Sequence, residues 1–363
     1  LFKNRLHHSC TIYVHKVTMH VTLDLNIHAH LPVTRHDSGI TIGQTVYSSG
    51  SVRINDSAAI AVSQLISGWQ MCAMRMPLAG LVFQVSKELT SLGHFFPLIH
   101  TLTDAQRFEF RTRLNALLQS TDIAVTYTTQ AGLTATPLIL RVMVLGQIVS
   151  CFWGRPEIVS ALQRTKPSVA LYADRMLYER TGGVGGGCYL PHEHRIMLEA
   201  NRLFEGFYTP IPNVSPFLHE FGHMLDGTHM RLNQLPHCYG RLPLMHDQAF
   251  SLWQKAKYRE VQCYTAWYHQ RPPSDGQMPL GHPYVFQNDG EFLAGHWEMF
   301  WRNPHAMAQQ TPHLFDAFKN YVNQDPRTSL AHDYLGYVEG NRAFYQSGQQ
   351  PWPTQMRYDM TDD

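Results

Sequence analysis

"SPFLHEFGHMLDG", residues 215–227, sets the reading of this chain. Ser215 is a good N-cap, Pro216 suits the first helical position and Gly227 suits the end, so the stretch predicts a short helix. On that helix His219 and His223 lie one turn apart on the same face, and both imidazoles reach one tetrahedral Zn²⁺ at about 2.0–2.1 Å. Glu220 then stands beside the ion without ligating it. That is the arrangement the H-E-x-x-H pattern requires, in which the carboxylate takes a proton from a water that the metal has acidified to a pKa of about 7. The chain holds 22 histidines among 363 residues. Even at that composition the pattern arises by chance only roughly 0.05 times, which favours function over accident without settling it.

What strengthens the reading is a second helix able to supply a third ligand. "NDGEFLAGHWEMFWRNP", residues 288–304, has Asn288 or Asp289 as a cap and Pro304 as an end. It offers Glu291 and Glu298 two turns apart on one face, and His296 on another. The two carboxylates stand about 10.5 Å apart along the axis, too far for both to hold one small ion. One ligates; the other supports a ligand or plays a structural part.

Composition narrows the remaining classes. Lys plus Arg number 29 against 28 Asp plus Glu, for a formal charge of +1. There is no electrostatic reason to expect nucleic acid or an anionic membrane as a partner. Six cysteines without a C-x-x-C pair, in a chain long enough to be stable without staples, read as free thiols in a reducing, cytoplasmic setting. "PLILRVMVLGQIVSCFW", from Pro137 to Trp153, is interrupted by Arg141 and Gln147 and is shorter than the roughly 20 residues of a bilayer span. It reads as a buried core helix.

Along the chain the texture changes twice. From Val17 to Ala29 an apolar residue falls at every second position, the period of a half-buried strand, with His20 and His28 on its solvated face. Short β-prone runs separated by Gly and Ser come next, so residues 1–85 read as a β-rich N-terminal segment and 86–363 as the domain that carries the chemistry. "LTDAQRFEFRTRLNALLQ" opens on a Thr or Asp cap and spaces Phe108, Phe110, Leu114, Leu117 and Leu118 as a helix does. The segment Ser168–Leu198 reads as strands joined by a flexible glycine loop, Gly182 to Gly187. Within it, His192 and His194 would share a strand face as a weaker, second metal pair, and "CYLPHEHRIML" would serve as an edge strand to which a peptide adds by backbone pairing.

Taken together, "FLHEFGHMLDG", "HPYVFQNDGEFLAGHWEMFWRNP" and "PHLFDAFKNYVNQDP" resemble the Mlc titration factor A family of bacterial zinc peptidases. That family is itself similar in active-site plan to the catalytic domain of anthrax lethal factor. The resemblance runs from about Leu89 to Arg327. It implies an α+β, zincin-like metallopeptidase domain, mainly helical with a small sheet, binding one zinc ion per chain. The family places a Tyr seven residues before the ligating Glu; Tyr284 stands seven before Glu291, which selects Glu291 over Glu298. By the same resemblance Tyr284 donates to the developing oxyanion, and Asp226 orients a ligating imidazole through its far nitrogen. The implied activity is aminopeptidase-like cleavage of short peptides. The alternative it implies is a regulatory protein that sequesters a transcriptional repressor, with the zinc site secondary. Gly222 departs from the family's usual Ala, and the Gly182 to Gly187 loop is unusual.

Overall fold

The computed structural model describes Leu92 and residues 95–208, 215–274, 276–333 and 335–349. Ahead of them six short strand segments lie between Phe2 and Ser48. Their side chains and, Leu92 apart, the rest of residues 1–94 fall outside the description, and with them the reading of residues 1–85 as a β-rich unit and the domain boundary expected after residue 85.

Among the described residues the architecture is α+β: helices packed on one small mixed sheet. Its strands are β1 (Ala124–Thr129), β2 (Gly132–Thr134), β3 (Ser168–Tyr172), β4 (Gly187–Leu190) and β5 (Arg195–Glu199), in the spatial order β4-β5-β3-β1-β2. β3 is parallel to both neighbours, so both faces of the centre must be covered, and it is accordingly a continuous apolar run, "SVALY", buried from Val169 to Tyr172. β4 runs antiparallel to β5, with Gly187 opposite Leu198 and Leu190 opposite Arg195, and forms one edge of the sheet.

Of the helices, α1 (Asp104–Gln119) begins where the sequence places it. Thr103 and Gln106 form a full capping box, and Phe110, Leu114 and Leu117 are buried. Phe108, expected on that inner face, is exposed instead. α2 (Leu138–Cys151) is the buried core helix expected, and no described helix is long and apolar enough to cross a membrane. A short helix, α3 (Arg175–Arg180), stands where the sequence reading had only strands and a flexible loop; Asp174 caps it by accepting from the Leu177 N–H. Four described cysteines, Cys151, Cys188, Cys238 and Cys263, are free thiols.

The two helices singled out in the sequence form the centre. α4 (Pro216–Leu232) starts on Ser215, whose hydroxyl accepts from the Leu218 N–H, but it does not stop at Gly227. It continues to Leu232 because Gly227 answers a close approach and not a chain reversal: a Cβ there would lie 1.9 Å from the Tyr189 hydroxyl oxygen of β4. α6 (Asp289–Arg302) is capped by the Asn288 side chain, which accepts from the Glu291 N–H. The two helices approach closely at Gly222, where a Cβ would come within 2.6 Å of the Ala294 Cα. The missing methyl sets their separation, and the departure from the family's Ala at this position thus has a physical reason. Phe217, Phe221 and Trp297 join the pair to the core.

Between them in the chain comes α5 (Asp247–Tyr268), which carries two buried ionisable side chains. Lys257 pairs with Asp289 at 2.9 Å, tying down the first turn of α6. Glu260 accepts from the Leu280 N–H at 2.7 Å. Burial pushes the Glu260 carboxyl up to about 7, against the backbone hydrogen bonds from Leu280 and Gly281 that favour its charged form. Its folded pKa therefore exceeds its unfolded value of about 4.3. The native state holds the extra proton between those values, so this group's contribution to stability falls as pH rises from about 4 to 7 and is level above. A difference of that size is on the order of 3 kcal/mol. Glu260→Gln is expected to flatten that part of the stability profile, measured by denaturant unfolding at several pH values; an unchanged slope would refute the assignment.

Candidate metal centre

α4 and α6 bring three side chains to one point. Glu291 Oε2 lies 3.0 Å from His219 Nε2 and 3.4 Å from His223 Nε2. The ligand atoms of all three residues fall within 4.8 Å of one another. Four ligands at about 2.0–2.1 Å around a tetrahedral ion stand about 3.3 Å apart, so the observed separations fit a single small ion. Two imidazoles and a carboxylate are a donor set that suits Zn²⁺.

The carboxylate of Glu298 lies elsewhere, and its position explains the rest of the face. One oxygen accepts from the Ser215 N–H at the start of α4; the other is 3.6 Å from His219 Nδ1, the nitrogen turned away from Glu291. At that distance the contact is an ion-pair approach, longer than a formed hydrogen bond. A carboxylate there favours the tautomer with the proton on Nδ1 and leaves Nε2 free to ligate. Glu298→Ala is expected to weaken metal binding by about 10–100-fold, read by competition with a chromogenic chelator, and also to loosen the first turn of α4.

Glu220 is buried and sits one residue along from His219, facing away from the apolar core of α4 toward the sheet edge. Burial pushes its carboxyl above the ordinary value, opposed by the charges of His219 and His223. For Glu291 the balance goes the other way: burial would raise it, but the two histidines bonded to it hold it far below the usual range. The main chain of Gly187, first residue of β4, lies directly against Glu220, since a Cβ on it would come within 3.0 Å of Glu220 Cγ. The sheet edge and the acid therefore meet at the same place.

Tyr284 lies in a 3₁₀ turn, Pro283–Phe286, whose other three residues are buried while Tyr284 itself is 40% exposed. Its ring centroid is 6.1 Å from that of His219. Burial, then the charge of Glu291 and a side-chain hydrogen bond to it, raise the phenol above its usual value, so it stays a proton donor at neutral pH.

Asp226 is almost wholly buried, one turn beyond His223 on α4. The hydrogen bonds found for its carboxylate go to backbone: the N–H groups of Tyr239, Gly240 and Arg241 donate to it at 3.2, 2.8 and 3.2 Å. Its link to His223 is the attraction of opposite charges. Burial raises its carboxyl to about 6, opposed by those three donors and by His223. The loop it grips packs on the first turn of α6, where a Cβ on Gly240 would come within 2.8 Å of the Asp289 carbonyl oxygen. Asp226 and Lys257 thus hold Asp289 from two sides, a pairing without any signal in the sequence.

The weaker pair, His192 and His194, does not form a strand face. Both lie in the turn between β4 and β5. His194 is buried, with its ring nitrogens engaged by the Tyr189 hydroxyl at 2.7 Å and Thr165 Oγ1 at 2.9 Å. Burial lowers it to about 3, so it is a neutral strut between β4 and the helices behind it.

A half-buried cluster of two imidazoles and a carboxylate, with a buried acid beside it and a sheet edge alongside, has the parts that metal-assisted peptide hydrolysis needs. Comparison with known families agrees: residues 85–322 match the family described as glucose-regulated metallo-peptidase M90. The match spans more than half of the chain, which belongs to this family, the Mlc titration factor A family. No curated protein is matched by the chain.

Proposed function

We propose that the chain is a zincin-like zinc peptidase acting as an aminopeptidase on short peptides. The observation that carries the reading is the convergence of His219, His223 and Glu291 with Glu220 beside them. These three residues would hold Zn²⁺, which, when bound, supplies acidification of water and polarisation of the scissile carbonyl.

The chain's own groups supply the remainder. The Glu220 carboxylate takes the proton of the attacking water and returns it to the leaving amine, a shuttle served by a burial-raised pKa. The Tyr284 phenol donates a hydrogen bond to the oxygen that gains charge at the tetrahedral stage. The outer side of β4, beginning at Gly187 next to Glu220, takes the extended substrate by main-chain pairing, which holds the peptide irrespective of its side chains. The preference for a free amino terminus rests on the family resemblance.

Leucyl and alanyl p-nitroanilides, each with its N-acetylated counterpart, test the proposal directly. Free-amine substrates are expected to be cleaved, with activity lost to a chelator and restored by zinc. Equal turnover of the acetylated forms would remove the aminopeptidase assignment, and chelator-resistant turnover would remove the metal.

A further inference from the structure

The segment leading into Tyr284 is gripped in an unusual way. Leu280 and Gly281 have all four of their main-chain polar groups bonded to buried side chains from two helices. From α5, Glu260 accepts the Leu280 N–H at 2.7 Å and also the Gly281 N–H. From helix α7 (Leu335–Gln346), the Asn341 side-chain amide donates to the Leu280 carbonyl and the Tyr345 hydroxyl donates to the Gly281 carbonyl, each at 2.8 Å. Glu260, Asn341 and Tyr345 are 3%, 4% and 3% exposed. Asn341 and Tyr345 are one helical turn apart and so share a face. Both lie beyond the residues that match the family.

A dipeptide ordinarily needs no such treatment; secondary structure satisfies its groups. Here three buried side chains do so two residues ahead of the turn Pro283–Phe286. The turn itself is locked from behind: Phe286 stacks on Tyr264 at 4.1 Å, and His282, packed on Phe344 of α7, accepts the Tyr284 N–H at 3.2 Å. With its buried residues pinned, the turn places the Tyr284 ring beside His219.

We propose that Asn341 and Tyr345, together with Glu260, are positioning residues for Tyr284: by clamping the Leu280–Gly281 main chain they fix the turn that presents the phenol at the metal site. The inference rests on the oxyanion role given to Tyr284 above. Aligned donors act only when held in place, and a misplacement of about 1 Å costs up to roughly 100-fold in rate. Helix α7 is therefore part of the catalytic apparatus although it contributes no group to the reaction.

Tyr345→Phe removes one hydroxyl and keeps the ring packed on Trp267; Asn341→Ala provides a second variant should the first fail to fold. Either is expected to lower kcat by about 10–100-fold with KM and zinc content unchanged, and to speed hydrogen exchange at the amides of residues 282–286. In a Tyr284→Phe background the same change is expected to cause no further loss, because the group it positions is already gone. An additive loss in that background, an unchanged kcat, or loss of zinc would each overturn the clamp. Full activity in Tyr284→Phe alone would overturn the role of Tyr284 itself, and the clamp's purpose with it.

Discussion

Glu220→Gln is expected to abolish peptide hydrolysis while leaving zinc bound. The amide keeps the size and the buried position of the carboxylate, so His219 and His223 stay on their helix face and the donor cluster with Glu291 persists. What disappears is a group that can accept and return a proton, and general acid–base transfer is worth about 10²–10⁴-fold. Because the same residue serves both the water and the leaving amine, the loss is expected at the upper end of that range or beyond it. Metal analysis alongside turnover of a free-amine peptide substrate decides the matter. Unchanged turnover would remove the mechanism, and loss of zinc would recast Glu220 as a ligand.

Glu291→Ala has the other large effect, on metal content. Its Oε2 lies 3.0 and 3.4 Å from the two Nε2 nitrogens, so its removal leaves two histidines one turn apart on a single helix. Purified protein is expected to retain little zinc, and activity is expected to fall below that of Glu220→Gln even with excess zinc supplied. Glu298→Ala serves as the control from the same helix. Zinc retained by Glu291→Ala but lost from Glu298→Ala would reverse the assignment of the two glutamates.

The two variants also separate what α6 does from what α4 does. Gly222 against Ala294 fixes the distance between the helices, so His219 and His223 on one meet Glu291 on the other without slack. The supporting contacts are spread over the protein: Glu298 at the start of α4, Lys257 on Asp289, and Asp226 on the Tyr239–Arg241 loop. Loss of Asp289 would remove the carboxylate that faces the buried Lys257 ammonium at 2.9 Å.

Much of this site is local in the chain, and local features are legible. Ser215 and Pro216 start one helix, Asn288 starts the other, and a histidine pair at i, i+4 needs only helical geometry to share a face. Where local cues misled, a distant partner was the reason. Gly227 looks like a helix end, but it is a notch for Tyr189 of β4. His194 looks like a ligand on a strand, but it is buried in a turn between Tyr189 and Thr165. The helix Arg175–Arg180 was hidden between a strand and a glycine cluster, in a segment too short to show a period.

By itself, then, the sequence determined the two metal helices, their capping, the acid beside the first histidine and the helical character of the chain around them, because caps and 3.6-residue periodicity act over a few neighbouring residues. The family resemblance already selects Glu291 and the sequence already names the edge strand; only the tertiary structure decided what Asp226 holds, that Gly187 lies against Glu220 and how the turn of Tyr284 is fixed. Those contacts, Asp226 with Tyr239, Glu220 with Gly187 and Asn341 with Leu280, join residues 13 to 61 positions apart. They depend on how the helices pack, and no local pattern encodes that.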